Sequence, residues 1–443
     1  MSSSSSSSAS PAPRLVERIL AIEPPERFAV AAGMAMFFLL FTAYFMLRPV
    51  RETMGVAAGV NNLQWLFSAT FVATLAVLPL FGWLAGKVSR RTLLPWLYGA
   101  CALMLAGFAA LFTVAPDSLW TMRAFYIWLS VFNLLAISLA WSVLADVLAA
   151  DQAKRTFALV AAGASVGGLA GPVLGTLLVG PLGHAGLLLL SALMLGASAV
   201  CAVALHRWRD AHPLPALPDG RPAPETARRS RPLGGNPFAG ATLTLRSPYL
   251  LGITAFVLLL ASVNTFLYFE QARLVAEHFP DRTTQTQVFG TIDAVVQALS
   301  LLVQALITGR LARRMGIGVL LVSVPLVMAL GMLALAVAPL FAIFVAVMVV
   351  RRVGEYALVR PGREMLYTVV PAEQKYKAKS FIDTVVYRAG DALSGWLKRA
   401  IDVLSESPAV AMVVGALLAL AWGCCGVFLG RRERALEADR TPA

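Results

Sequence analysis

The stretch "GKVSRR", residues 86–91, returns as "GRLARR" at residues 309–314, about 220 residues later. Working outward at nearly the same shift, "DQAKRTFALV" (151–160) falls on "EQKYKAKSFI" (373–382). Arg48 falls on Glu270, and Arg51 on Arg273. Several registrations at one offset describe a chain built twice on one plan. Each basic copy follows an apolar run, so the repeated unit is a set of apolar segments joined by short polar turns.

The chain has 443 residues, of which 58% are hydrophobic and 14% charged. Soluble domains carry about 25% charged residues. The apolar runs reach the roughly 20 residues that a helix needs to cross a bilayer. Backbone groups in lipid must be satisfied internally, so the runs predict helices, and their length excludes a β-barrel of short alternating strands. The net charge of +13 lies mostly between the runs, where it orients helices, and points to no nucleic-acid partner. Cys101, Cys201, Cys424 and Cys425 sit in apolar runs and suggest no disulfide framework, and the four histidines show no metal spacing. No metal or cofactor is expected. The first apolar run is too long for a signal peptide and is read as a span.

The fold class expected is all-α, a polytopic membrane protein with twelve transmembrane helices in two pseudo-symmetric six-helix bundles. Residues 1–27 form a Ser-rich N-terminus, read as disordered, and 28–207 the first bundle. Residues 208–246 are a Pro- and Arg-rich linker, 247–430 the second bundle and 431–443 a basic tail. Arginine and lysine concentrate at the N-terminus, in the linker, in the tail and in the turns after spans 2, 4, 8 and 10. The turns after spans 3, 5 and 9 have none. By the positive-inside bias both termini and the linker are cytoplasmic. A bacterial inner membrane and a monomer in the lipid bilayer are the expected setting.

Two basic-linked six-helix halves resemble the plan of the major facilitator superfamily. "GWLAGKVSRRTLL" (82–94) is similar to that superfamily's loop between spans 2 and 3, with Gly82, Lys87, Arg90 and Arg91 fitting a gating role. Gly86 stands where an Asp is usual, and Ser89 where a Gly is usual. "GASVGGLAGPVLG" (163–175) is similar to the antiporter motif of span 5 at Gly167, Gly171, Pro172 and Gly175. Physically, Gly163, Gly167, Gly171 and Gly175 share one helix face and let another backbone approach. A narrower resemblance is to the ATP/ADP translocase branch. "MLRPVRETMG" (46–55) and "EYALVRPGREMLYTVVPAEQKYKAKSFIDTVVYRAGD" (355–391) carry it, through Arg48, Arg51, Glu52, Arg363, Glu364, Asp383 and Arg388, with Glu270 matching an acidic position of span 7. The resemblance implies nucleotide exchange. The acidic residue that branch carries midway along span 4 has no counterpart in "FYIWLSVFNLLAISLAW" (125–141).

A charge at mid-membrane costs about 3 kcal/mol on insertion scales, so such residues face a cavity or a partner. Tyr44, Arg48 and Arg51 share one helix face at i, i+4, i+7. They either line a cavity or snorkel to the interface. In span 10, Arg352, Glu355 and Arg363 fall on one α-helical face. In span 11, Ser380, Asp383, Tyr387, Asp391 and Ser394 make a polar stripe. The candidate substrate-binding set is Tyr44, Arg48, Arg51, Glu270, Glu355, Arg363, Asp383, Tyr387 and Arg388. Arginine's planar fork suits phosphate or carboxylate, so the expected function is a secondary transporter of an organic anion, such as a nucleotide or phosphorylated metabolite, by exchange. A proton-coupled exporter using Glu270, Glu355 or Asp383, and a non-transporting membrane sensor or assembly protein, are the alternatives. No phosphate-binding loop, nucleophile motif or metal cluster points to an enzyme.

Overall fold

A computed structural model describes residues 26–148, 150–213, 239–405 and 407–438. The serine-rich N-terminus up to residue 25, most of the linker and the last five residues lie outside that range. The first half contains α1 (Arg27–Ala57), α2 (Leu63–Lys87), α3 (Arg90–Val114), α4 (Leu119–Val147) and α5 (Ala150–Ala211). α5 is broken at Gly183, whose φ of 65° turns the chain back and makes two antiparallel arms of one continuous run. A short helix, α6 (Ala239–Arg246), leads into the second half. There follow α7 (Pro248–His278), α8 (Arg282–Val303), α9 (Gly309–Val337), α10 (Phe341–Gly354), α11 (Arg360–Leu366), α12 (Ala372–Phe381), α13 (Tyr387–Ser405) and α14 (Pro408–Ala438).

Three of these boundaries are not ends of helices. α8 runs into α9 through a π-turn at Gln304–Thr308, α10 into α11 through one at Glu355–Val359, and α12 into α13 through one at Ile382–Val386. The rod begun by α8 ends at Gly316, where φ is 75°. Joined this way, the described residues form twelve membrane-length rods, six in each half. Nine described helices are long and apolar enough to cross a membrane on composition alone, and the broken α5 supplies two rods. The rods α10–α11 and α12–α13 fall short only because they carry charge. The fold is the all-α, two-bundle fold expected. The second arm of α5 extends to residue 211 and α6 is ordered, so both edges of the expected linker are helical.

Caps mark the helix starts. Ser118 accepts from the Thr121 N–H, Ser247 from Leu250, and Asp281 from Thr284 at 2.8 Å. These bonds from Thr284 hold the exposed Asp281 carboxyl below its ordinary range. Each half has its own apolar core, and the first half's core also takes in Phe269, Ala272, Val275 and Phe289 from the second. One is built around Phe37, Leu47, Phe125 and Leu188, the other around Phe256, Phe266, Phe344 and Trp422.

α1 and the first arm of α5 pack with backbones nearly touching. A methyl group on Gly163 would meet the Met34 carbonyl oxygen at 2.4 Å, and one on Gly167 the Phe38 oxygen at 2.5 Å. Gly171 and Gly175 continue the contact along Thr42 and Met46. This face fixes α1 and therefore the position of Arg48 and Arg51.

The halves meet at the end remote from the basic turns. There Arg282 pairs with Asp117 at 2.9 Å and donates to the Pro116 carbonyl. Thr53 and His184 both contact the Thr286 hydroxyl, at 2.7 and 3.0 Å. Trp396 donates to Ser68 at 2.9 Å and packs edge-on against Trp65, and Arg399 reaches Asn61.

Candidate functional site

A cavity of about 940 Å³ lies between the halves. It runs from Phe67, Tyr126 and Tyr268 in its depth to Gly309, Arg360 and Glu364 near the basic end. Its walls differ. The first half contributes Phe41, Tyr44, Phe45, Phe67, Tyr126 and Trp141, with Arg48 and Arg51 among them. The second half contributes Arg351, Arg352, Glu355, Arg360, Glu364, Arg388 and Asp391, with Asp293 and Gln297 from α8.

On α1, Tyr44, Arg48 and Arg51 all face the cavity. Arg51 forms an ion pair with Glu52, donates to Ser130 at 3.2 Å, and lies 5.2 Å from the centre of the Tyr126 ring. Arg48 reaches across to the second half. Its Nε stands 3.6 Å from Asp293, and its Nη1 donates to the Tyr356 hydroxyl at 3.3 Å. Asp293 also pairs with Arg352. The adjacent Arg351 binds both Asn264 and Glu355, the latter at 3.0 Å. Asn264 in turn donates to Glu355 and to Tyr387. Arg388 pairs with Asp391 at 3.5 Å, and Thr265 donates to the same carboxylate. Six arginines and five carboxylates thus line one cavity. Arg360, exposed at the mouth, has no carboxylate partner among the described residues.

Of the nine residues chosen from the sequence, the structure gathers Tyr44, Arg48, Arg51, Glu355, Tyr387 and Arg388 at the cavity. Glu270, Arg363 and Asp383 lie elsewhere. Glu270 is 2% exposed and pairs with Arg273 on its own helix, which also holds Glu277. Arg363 pairs with Asp383 at 3.4 Å behind the cavity wall. The cause is the π-turn at residues 355–359. A π-turn carries one residue more than an α-turn, so the helix beyond it is rotated by about 100°. Arg360 and Glu364 thereby take the cavity face on which an uninterrupted helix would put Val359 and Arg363.

Asp293 and Arg351 line the cavity outside the candidate set, as does Arg352, whose helical face the sequence shares with Glu355. A signal for Asp293 was present: Asp293, Gln297 and Ser300 on α8 and Gln304 just beyond it recur at helical spacing, and all face the cavity.

In the loop after α2, Lys87 stacks over Trp83 at 4.2 Å and Arg91 pairs with Asp210 at 2.8 Å, both exposed. Gly82 is half-buried, and the side chain of Arg90 lies outside the described residues.

Residues 28–395 match the Major Facilitator Superfamily. The chain belongs to that superfamily. No curated protein matches the sequence. Among solved structures, a bacterial homologue of the iron transporter ferroportin, in an inward-facing state, is 14% identical. Its TM-score is 0.62, over 90% of this chain and 98% of that one. A bacterial homologue of the human lysosomal transporter Spinster, inward-facing and unoccupied, is 15% identical with a TM-score of 0.58 over 95% and 100%. The nucleoside transporter NupG is 15% identical with a TM-score of 0.57 over 94% and 100%. This major facilitator protein is an integral membrane transporter. Identities this low carry the fold and leave the substrate to the cavity.

Proposed function

We propose that this transporter carries an organic anion, of the nucleotide or phosphorylated-metabolite kind, across a bacterial inner membrane by exchange. The observation that carries the reading is the set of six arginines lining one cavity shared by both halves. Intramembrane charges are costly and are kept where they line a path, and guanidinium groups bind two oxygens of one anion in a planar fork. The aromatic wall opposite adds a surface for the rest of an organic molecule. With the basic turns cytoplasmic, the cavity opens to the cytoplasm and the contacts around Thr286 and Trp396 close the far side. Alternating access then requires those contacts to part while the basic ends close. The translocase-like stretches at 46–55 and 355–391 support the same substrate class.

The test is uptake into proteoliposomes of labelled nucleotides and phosphorylated sugars, with and without internal counter-substrate. Exchange should need the internal substrate. Replacing Arg48 or Arg51 by Ala should weaken binding roughly ten- to hundredfold, since a charge-assisted bond is worth about 1.5–3 kcal/mol. Lysine should restore only part, because the charge returns without the fork. Full affinity in both lysine variants, or uptake that follows a proton gradient and ignores internal substrate, would remove the reading.

A further inference from the structure

We propose that Asp293 acts as a tethered anion in the seat that the substrate's anionic group takes between Arg48 and Arg352, and so decides which anions bind. This rests on the anionic substrate argued above. Asp293 is a cavity-lining carboxylate held between arginines of opposite halves: Arg352 pairs with one oxygen, and Arg48 stands 3.6 Å from the other.

The seat is built but not saturated. The Arg352 side chain is 5% exposed, and its Nε and Nη2 have no hydrogen-bond partner among the described residues. The oxygen of Asp293 that faces Arg48 has no hydrogen bond either. A guanidinium offers a carboxylate or phosphate two parallel donors on one edge. Asp293 uses Arg352 through one nitrogen. A free group with two or three oxygens can use the fork fully, so it gains contacts that Asp293 does not make.

Selectivity follows from that difference. A tethered group competes at an effective concentration of about millimolar or more. Chloride is a single-point anion with nothing extra to gain at the fork, so it loses to the tether. A phosphate or carboxylate group bound to both arginines wins. Asp293 therefore keeps the abundant small anion out of a strongly basic cavity and leaves the seat to oxyanions. Once displaced, its charge also repels a second anion from the same place.

The experiment uses the full-length protein in detergent and reads its melting temperature while chloride is raised over the same range for wild type and variants, so that ionic strength is matched between them. A second series titrates inorganic phosphate. The variants are Asp293→Asn and the charge-balanced pair Arg352→Gln with Asp293→Asn. Anything that binds only the folded state raises its melting temperature. Chloride should stabilise Asp293→Asn with a half-effect at least tenfold lower in concentration than in wild type. An unchanged chloride response in Asp293→Asn overturns the proposal. The paired variant does not depend on the single one folding. It should lose the phosphate response of the wild type at least tenfold although the other five arginines remain. A phosphate response equal to wild type would make the Asp293–Arg352 pair purely structural, and would overturn the proposal by itself. A wild type that ignores phosphate speaks against the anionic substrate, while the chloride response of Asp293→Asn still judges the seat.

Discussion

The two halves repeat one plan, yet they solve the problem of presenting charge to a cavity in opposite ways. In the first half the helices that reach the cavity keep an α-helical course there. α1 is clamped by a four-glycine face on α5, so two arginines are placed by backbone packing and set among aromatic rings. In the second half three π-turns, at 304–308, 355–359 and 382–386, interrupt the rods that carry charge. Two of them are sewn together. Gln304 donates to the Tyr356 carbonyl at 3.1 Å and Thr308 to the Ala357 carbonyl at 2.8 Å. The side chains of one turn thus satisfy carbonyls of another. A regular helix can put only a stripe of residues into the cavity. The π-turn lets one helix offer Arg351, Arg352, Glu355, Arg360 and Glu364 together.

The comparison breaks most sharply if the register beyond that turn is shifted. Inserting one alanine after Val359 should rotate the following helix by about 100°, bring Arg363 toward the cavity and carry Arg360 and Glu364 away from it. Transport should be abolished while the protein still reaches the membrane. Normal exchange by the insertion variant would show that this register does not serve the cavity.

Next in size is Arg351→Ala. It leaves Glu355 and Asn264 without their guanidinium. Because the pair lines the cavity with Glu355 19% exposed, the cost should fall below about 3–5 kcal/mol, the cost in a fully buried pair. Chemical or thermal denaturation in detergent should report that loss, and loss of Glu355 at the same time should return part of it.

Glycines sharpen the contrast in packing. Gly167→Ala drives a methyl group to 2.5 Å from a backbone oxygen that cannot turn aside. It should cost about 3 kcal/mol, the upper range for overpacking. In the second half, Gly415→Ala meets side chains alone, the methyl and sulfur of Met332 at 2.2 and 2.9 Å and the Phe266 ring at 3.4 Å. A thioether chain repacks readily, so the cost there should stay below about 1 kcal/mol. Equal melting temperatures for the two variants would remove the distinction. The smallest effect is expected at Arg363→Lys, which keeps a positive charge beside Asp383 outside the cavity. Substrate affinity should be unchanged in a binding titration.

Much of this was legible from residue spacing. The order and number of the spans follow from runs of apolar residues, because a bilayer fixes their length. Tyr44, Arg48 and Arg51 lie together because α1 is an uninterrupted helix there, even with Pro49 inside it. Arg363 and Asp383 were placed by α-helical periodicity, and periodicity is what a π-turn resets. Glu270 was placed by its register against Arg48, but an acid three residues before an arginine can satisfy itself on its own helix, and does so here. Asp293 lay in a visible polar stripe. Its pairing with Arg48 and Arg352 joins helices far apart in sequence, and no local pattern encodes such a meeting.

The closure at the far end has an energetic corollary. Its polar part is a few hydrogen bonds, two of them from Arg282 and Arg399, and one exposed ion pair. Net, a neutral bond contributes about 1 kcal/mol, and an exposed ion pair about 1 kcal/mol or less. Its apolar part sets Phe67 against Tyr268 and Phe269 and takes Phe269, Ala272, Val275 and Phe289 of the second half into the first half's core. Thr286 meets Thr53, His184 and the Arg282 carbonyl at once, so turning its side chain releases all three. The polar contacts are small, shared increments laid over an apolar seal, and a single methyl or hydroxyl exchanged among them would tilt the populations severalfold.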